Sequence, residues 1–187
     1  MELRLSENRK IAAAVLVVCI LVSIFAFGGG ALGRERRKVM KVFNDGTEPG
    51  LSVRHSMDAY LDSAAECAQI MANEAEARVG ESEAGNTALS NAGMIGEDTA
   101  DLDTRYKAYT DLKGQVEKLY NSLYNAVSAE EFRDFKLAYD DFWGYDDLIS
   151  HDEYPKYAKR YNELVSGFPG GVVSGLLGLG ALNTFGG

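Results

Sequence analysis

The stretch DDFWGYDDLISHDEY, residues 140–154, is the densest group of side chains in this sequence that could carry out chemistry. Asp147 and His151 are four residues apart, a spacing that puts two side chains on one face of a helix. Further carboxylates lie close to them in sequence: Asp140, Asp141, Asp146, Asp152 and Glu153. Carboxylates with an imidazole bind transition metals, and carboxylates alone bind calcium. The segment 140–153 is therefore a candidate metal site.

The rest of the sequence does not supply the other ligands that such a site needs. Carboxylate metal bundles use Glu-x-x-His pairs on two helices, and this chain has none. The other histidine, His55, has only Asp58 close to it in sequence. A solvated acidic face beside a helix kink is the favoured interpretation of the segment, and metal binding is the alternative.

Other catalytic signatures are missing from the sequence. It has no phosphate-binding glycine loop, no nucleophile elbow and no paired-cysteine site. We interpret Cys19 and Cys67 as buried thiols. We therefore predict that the chain is not an enzyme, with no catalytic, cofactor-binding or metal-ligating residues and no cofactor.

Apolar residues at three- and four-residue steps predict the elements that position the acidic segment. One helix is predicted over 51–79, a second over 106–127 and a third from 128 to about 168. Pro155 predicts a kink or break of the third helix near 150–155, and the glycine-rich stretch 80–101 is predicted to be a loop with at most one short turn of helix. The predicted fold class is all-α, an up-and-down antiparallel bundle of three long helices over 51–168.

A long uncharged segment precedes the bundle. After a flank of residues 1–10, residues 11–33 carry no charge, and 23 helical residues just span a hydrocarbon core of about 30 Å. We predict an uncleaved transmembrane anchor over 11–33. A cleaved signal peptide is the alternative, although its apolar core is usually shorter, about 7–15 residues.

A basic juxtamembrane cluster follows the predicted anchor and, together with a short linker over 42–50 that is rich in turn-forming residues, makes up the segment 34–50. Its members are Arg34, Arg36, Arg37, Lys38 and Lys41, against three basic residues before the span. The positive-inside rule then favours a single-pass protein of the cell membrane whose C-terminal domain is cytoplasmic. An exported domain is the alternative. The cluster is expected to contact anionic lipid headgroups.

The remaining charge and the end of the chain limit the partners. Residues 42–187 have a formal net charge of −14, which argues against nucleic-acid binding because phosphate repels such a domain. Residues 164–187 are uncharged and rich in glycine. Glycine disfavours a stable helix by about 1 kcal/mol per residue, so 169–187 is predicted to be an apolar tail that does not cross the bilayer. The tail is expected to fold back onto the bundle or to lie shallowly in the membrane surface, and a second membrane span is the alternative.

Two stretches are similar to motifs of the LemA family of bacterial membrane proteins. AYTDLKGQVEKLYNSL, residues 108–123, resembles a family motif, with Thr110 where the family usually has proline. YAKRYNELVSGFPGGVVSGLLGLG, residues 157–180, resembles the family's closing motif through Tyr161-Asn162 and Phe168-Pro169. Seven residues before Tyr161, the family's Tyr-Asn pair is replaced by Tyr154-Pro155.

The resemblance implies a helical bundle on one N-terminal anchor and brings no catalytic residues. We therefore expect a non-enzymatic, membrane-anchored interaction or scaffold module with an unidentified protein partner. The alternative is a metal-binding or metal-dependent helical bundle that uses the acidic segment 140–153.

Overall fold

The chain folds into α-helices. A computed structural model describes residues 2–23, 28–47, 55–97, 100–124 and 126–185, and no strand occurs in these ranges, which confirms the all-α prediction. The helices are α1 (Glu2–Ser23), α2 (Gly29–Asp45), α3 (Met57–Val79), α4 (Glu83–Ile95), α5 (Leu102–Tyr124), α6 (Ala129–His151), α7 (Tyr154–Ser166) and α8 (Gly170–Leu177).

The chain divides into two compact units. Unit 1 consists of Met1–Met40 and Ala158–Ala181, and unit 2 consists of Lys41–Tyr157 and Leu182–Gly187. Unit 1 holds nine basic and four acidic residues, a formal net charge of +5. Unit 2 holds ten basic and 24 acidic residues, a formal net charge of −14. The charge asymmetry of the sequence therefore follows the division into units.

The core of unit 2 is built from the apolar stripes that the sequence predicted. In α3 the buried residues include Leu61, Ala64, Ala68, Met71 and Ala75; residues 51–54 of the predicted first helix lie outside the described residues. In α5 they include Tyr109, Leu112, Val116, Leu119 and Leu123, and α6 adds Phe135 and Phe142. Burial of each large apolar side chain contributes about 1.5–3 kcal/mol. The helical bundle is confirmed at this level.

The prediction of a loop over 80–101 is wrong, and with it the three-helix architecture. Gly80, at φ 85°, ends α3, and Ser82 then caps α4 by accepting a hydrogen bond from the Gly85 amide at 3.0 Å. The buried residues of α4 include Ala88, Ala92 and Ile95. This helix packs against α3 and α5, so unit 2 contains a fourth bundle helix built on small side chains.

The break near Pro155 is confirmed. α6 ends at His151, and α7 begins at Tyr154, whose amide donates to the Asp152 carboxylate at 2.7 Å. Pro155 lies in the first turn of α7, where a missing amide hydrogen costs nothing.

The predicted linker over 42–50 is partly wrong because α2 continues to Asp45. Val39 and Phe43, four residues apart, are both buried, and burial of this stripe favours continued helix. The helix ends at Gly46, which has φ 76°. Glu48 to Gly50 lie outside the described residues.

The predicted anchor, 11–33, includes the apolar part of α1 and the start of α2; residues 24–27 lie outside the described ranges. Among the helices that the structure describes, none has both the length and the apolar character needed to cross a membrane. In the predicted tail, 169–187, residues Gly170–Leu177 form α8, and Leu182 and Phe185 are buried.

Candidate functional site

The acidic segment 140–153 covers the second half of α6 and the break before α7. Asp140 pairs with Lys136, and Asp147 lies 3.3 Å from His151 Nδ1 on the exposed surface of α6. Asp146 accepts hydrogen bonds from Lys113 Nζ at 2.6 Å and from the Tyr109 hydroxyl. Each of these three carboxylates therefore has a different partner.

No group of three or more histidine, cysteine, aspartate or glutamate residues positioned to bind a metal occurs in the described part of the chain. The second histidine, His55, is not placed to bind a metal either. Its Nδ1 lies 3.1 Å from the Tyr60 hydroxyl, and its sequence neighbour Asp58 pairs instead with Arg105. The structure therefore does not bring the carboxylates of 140–153 and the two histidines together around one position that a metal ion could occupy.

A half-buried polar cluster joins α5 to α6. Lys113 Nζ lies between the Asp146 carboxylate and two aromatic rings, 5.7 Å from the ring centre of Tyr109 and 5.6 Å from that of Trp143. Burial, followed by the hydrogen bond to Asp146, raises the pKa of the Tyr109 phenol far above its usual range. A phenol in this state keeps its proton at neutral pH, so the cluster fixes the two helices and is not set up as a base or nucleophile.

A second polar cluster, around Arg105, joins α5 to α3. The guanidinium is almost completely buried, with Nη1 2.6 Å from Asp58 and Nη2 3.2 Å from Asp62. Its Cζ lies 5.4 Å from the ring centre of Phe43. Sequence reasoning missed this residue, although Arg105 stands four residues before Tyr109, in register with the buried stripe of α5. This four-residue spacing is the sequence signal from which the burial of Arg105 could have been predicted.

The two cysteines differ in exposure. Cys67 is buried in α3, and burial raises the pKa of its thiol to about 11, which makes it a poor nucleophile. Cys19 is exposed on α1, so the prediction that both thiols are buried is wrong for Cys19. The sequence placed it correctly in an apolar helix, but nothing in the described residues covers it.

The hollow beside the start of α4 also lacks catalytic groups. It is open to solvent, has a volume of about 420 Å³ and is lined by Glu81, Ser82, Glu83, Asn86 and Thr87. This lining offers hydroxyls and carboxylates but no histidine, lysine or cysteine, so it does not provide an activated nucleophile.

The predicted basic cluster lies along α2. Arg34, Arg37 and Lys41 are exposed, Arg36 is half-buried, and Lys38 pairs with Glu35 at 2.6 Å. The buried residues of α2 are Leu32, Val39 and Phe43. This helix is therefore amphipathic, and most of its positive charge faces solvent.

The apolar part of α1 is exposed around its whole circumference. The exposed fractions of Ile11, Val15, Leu16, Val17, Val18, Ile20 and Val22 range from 50 to 62%. Successive helical residues are about 100° apart, so the run Val15–Val18 alone covers every side of the helix. The described part of the chain provides no core for these side chains.

Comparison of the chain with protein-family models, with curated proteins and with solved structures gives no match. The resemblance to the LemA family therefore stays a prediction from sequence.

Proposed function

We propose that this chain is a non-enzymatic, membrane-anchored helical-bundle protein that acts as an interaction or scaffold module at a bacterial cell membrane. The observation that carries the proposal is the all-round exposure of apolar side chains on α1. A helix that is apolar on every side is stable when it is buried in a large core or in a membrane. Lipid supplies the apolar surroundings that the rest of the described chain does not.

The sequence after α1 supports a lipid environment. Residues 11–33 are uncharged, and the first charged side chain after them, Arg34, is exposed on α2 together with Arg37. Exposed basic residues directly after an apolar segment are placed to contact anionic headgroups. Unit 1, which contains this region, has a formal net charge of +5.

The polar clusters of unit 2 support a role in interaction over one in catalysis. Asp146, Tyr109 and Lys113 bind one another, as do Arg105 and Asp58. These contacts join helices within the bundle, so the groups with the most perturbed surroundings are used for structure. The surface of unit 2 is strongly acidic and is suited to a basic protein partner. The metal-binding alternative lacks comparable support, because Asp140, Asp146 and Asp147 have separate partners.

Alkaline extraction of membranes tests the anchor. The parent chain should remain in the membrane pellet after high-salt and alkaline washing. Double substitution of Val15 and Val18 by lysine should move the chain into the soluble fraction, because charged side chains within an apolar span oppose its insertion into lipid.

Leu137→Lys is the matched control. Leu137 is as exposed as Val15 but lies on α6, so this variant should stay in the pellet. Release of the parent chain as a form that begins near residues 31–34 would instead establish a cleaved signal peptide.

A further inference from the structure

We propose that the exposed apolar face of α8 inserts shallowly into the surface of an anionic bilayer and forms a second lipid contact beside the anchor. The inference rests on the proposed function, since it requires unit 1 to be held at a membrane. We call this face the α8 surface and define it by Phe168, Val172 and Leu176.

The α8 surface is apolar where a helix facing water would be polar. Val172 and Leu176, four residues apart on α8, are 54% and 68% exposed, and Phe168, which lies just before this helix, is 90% exposed. The opposite side of α8 is already packed, with Val173 and Ser174 buried and the Ser174 hydroxyl donating to the Val165 carbonyl at 3.0 Å. Burial of one side thus leaves three large apolar side chains facing outward.

Two glycines place α8 against the last residues of the predicted span, 11–33. A Cβ at Gly28 would lie 3.6 Å from a Val173 methyl, and a Cβ at Gly29 would lie 2.6 Å from a Leu177 methyl. The second distance is too short for any larger residue unless Leu177 moves. α8 therefore packs directly on the start of α2, within the last two turns of the predicted span and close to the level of the headgroups.

The positive charges near the end of the predicted span indicate that the α8 surface contacts an anionic lipid surface. The Nη1 atoms of Arg34 and Arg37 lie 3.8 Å from the Cβ positions of Gly30 and Gly33, respectively. Both guanidinium groups therefore reach back by one turn toward the beginning of α2. Arginine side chains at the end of an apolar span attract anionic lipid headgroups. No acidic residue follows Glu163, so nothing in α8 repels anionic lipid.

Fluorescence quenching in proteoliposomes tests the proposal on the full chain. The background carries Cys19→Ser and Cys67→Ala, and Leu176→Cys supplies the only thiol for an environment-sensitive dye. The vesicles contain phosphatidylcholine and phosphatidylserine, and two quenchers are compared: a lipid with a quencher on its acyl chain, and iodide on both sides of the bilayer. Leu137→Cys, on the exposed surface of α6, is the matched control.

The dye at residue 176 should be quenched several-fold more by the lipid quencher than the dye at residue 137, and several-fold less by iodide. Replacing phosphatidylserine by phosphatidylcholine should weaken lipid quenching at 176. Equal lipid quenching in both vesicle types would overturn the assignment to an anionic surface.

Two other outcomes would overturn the proposal as a whole. Strong iodide quenching at 176 would show that the α8 surface faces water, and protection from both quenchers would show that protein covers it. Alkaline washing of the same proteoliposomes separates this failure from that of the proposed function. A chain that is retained while residue 176 faces water refutes only the α8 contact, whereas a chain that is extracted refutes the anchor.

Discussion

Arg105 shows how a single residue can join distant parts of the chain. Removing a guanidinium from water costs several kcal/mol unless charged partners replace the solvent, and here Asp58 and Asp62 do so from α3. Its Cζ also lies over the ring of Phe43, from α2. Residues far apart in sequence therefore meet at one buried positive charge.

Removal of the Arg105 side chain should destabilise the protein. Arg105→Ala leaves Asp58 partly buried without its partner and should lower the free energy of unfolding by about 3 kcal/mol. Arg105→Lys retains the charge but not the two-pronged geometry and should cost less. The measurement is denaturant unfolding of the detergent-solubilised chain, followed by far-UV circular dichroism.

Lys136→Ala is the control for Arg105, since Lys136 forms an exposed ion pair with Asp140. It should leave the free energy of unfolding almost unchanged, because a solvent-exposed ion pair contributes little to stability. A similar loss in the two alanine variants would contradict the importance of the buried network.

Asp152 should make stability depend on pH in an unusual direction. Burial, together with the nearby Glu153 carboxylate, raises the pKa of Asp152 above its ordinary value of 3.8 despite the hydrogen bond from the Tyr154 amide. Between that value and the raised pKa, the folded state holds more protons than the unfolded state. The free energy of unfolding contributed by this group therefore falls as the pH rises through this window, and the loss persists at neutral pH.

Asp152→Asn keeps an oxygen that accepts from the Tyr154 amide but carries no charge. It should therefore be slightly more stable than the parent at pH 7, and the advantage should disappear below about pH 3.8. Thermal unfolding of both proteins across this range gives the difference directly. A variant that is less stable at pH 7 would show that the ionised form of Asp152 is needed at the start of α7.

At the scale of the helix, the size of the buried side chains decided what could be predicted from the sequence. α3, α5 and α6 have periodic methionine, leucine, valine and aromatic residues, so their existence and inward faces were predictable. α4 buries alanine and one isoleucine between several glycines, and this composition is also typical of a loop. Its formation depends on packing between α3 and α5, which no local pattern reveals.

The acidic segment 140–153 was also predictable only in its local properties. The sequence indicated which residues of 140–153 could carry out chemistry, because residue type and spacing are local properties. It did not show that Asp146 pairs with Lys113, which is 33 residues earlier, or that Asp58 pairs with Arg105, 47 residues later. These pairings depend on the register between helices.

Adjacent residues of α4 provide an internal test of that helix. Ala92 is buried, whereas a Cβ at Gly93 would meet no atom within 4 Å. Ala92→Leu should lower the free energy of unfolding by about 1–3 kcal/mol through overpacking. Gly93→Ala should raise it by up to about 1 kcal/mol because alanine favours the helix. If 80–101 were a solvated loop, neither substitution would have a sizeable effect.

At the scale of the whole molecule, the end of the chain returns to unit 2. Asn183 Nδ2 donates to the Asp103 carboxylate and the Tyr154 hydroxyl donates to the Asn183 carbonyl, each at 2.8 Å. The Phe185 ring lies 5.3 Å from that of Tyr106 and 5.8 Å from that of Phe43. The last described residues therefore belong to the same folded unit as α3 to α6.

This closure makes a prediction about membrane topology. A crossing by the tail would place Asn183 and Asp103 on opposite sides of the bilayer and break their hydrogen bond. α8 has eight residues, a length of about 12 Å, which is less than half of the roughly 30 Å hydrocarbon core. An epitope tag placed after Gly187 and a cysteine at residue 90, an exposed position on α4, should therefore be on the same side.

The test uses Ser90→Cys in a chain that also carries Cys19→Ser and Cys67→Ala, expressed in intact bacterial cells. The five basic residues after residue 33, against three before residue 11, favour a cytoplasmic unit 2. We expect the thiol to resist impermeant reagents and the tag to resist external antibody until the cells are permeabilised. Rapid labelling of both sites in intact cells would show that unit 2 lies outside the cytoplasm, contrary to the positive-inside rule. Labelling of one site alone would mean that the tail crosses the bilayer and that the contacts of Asn183 and Phe185 do not form in the membrane.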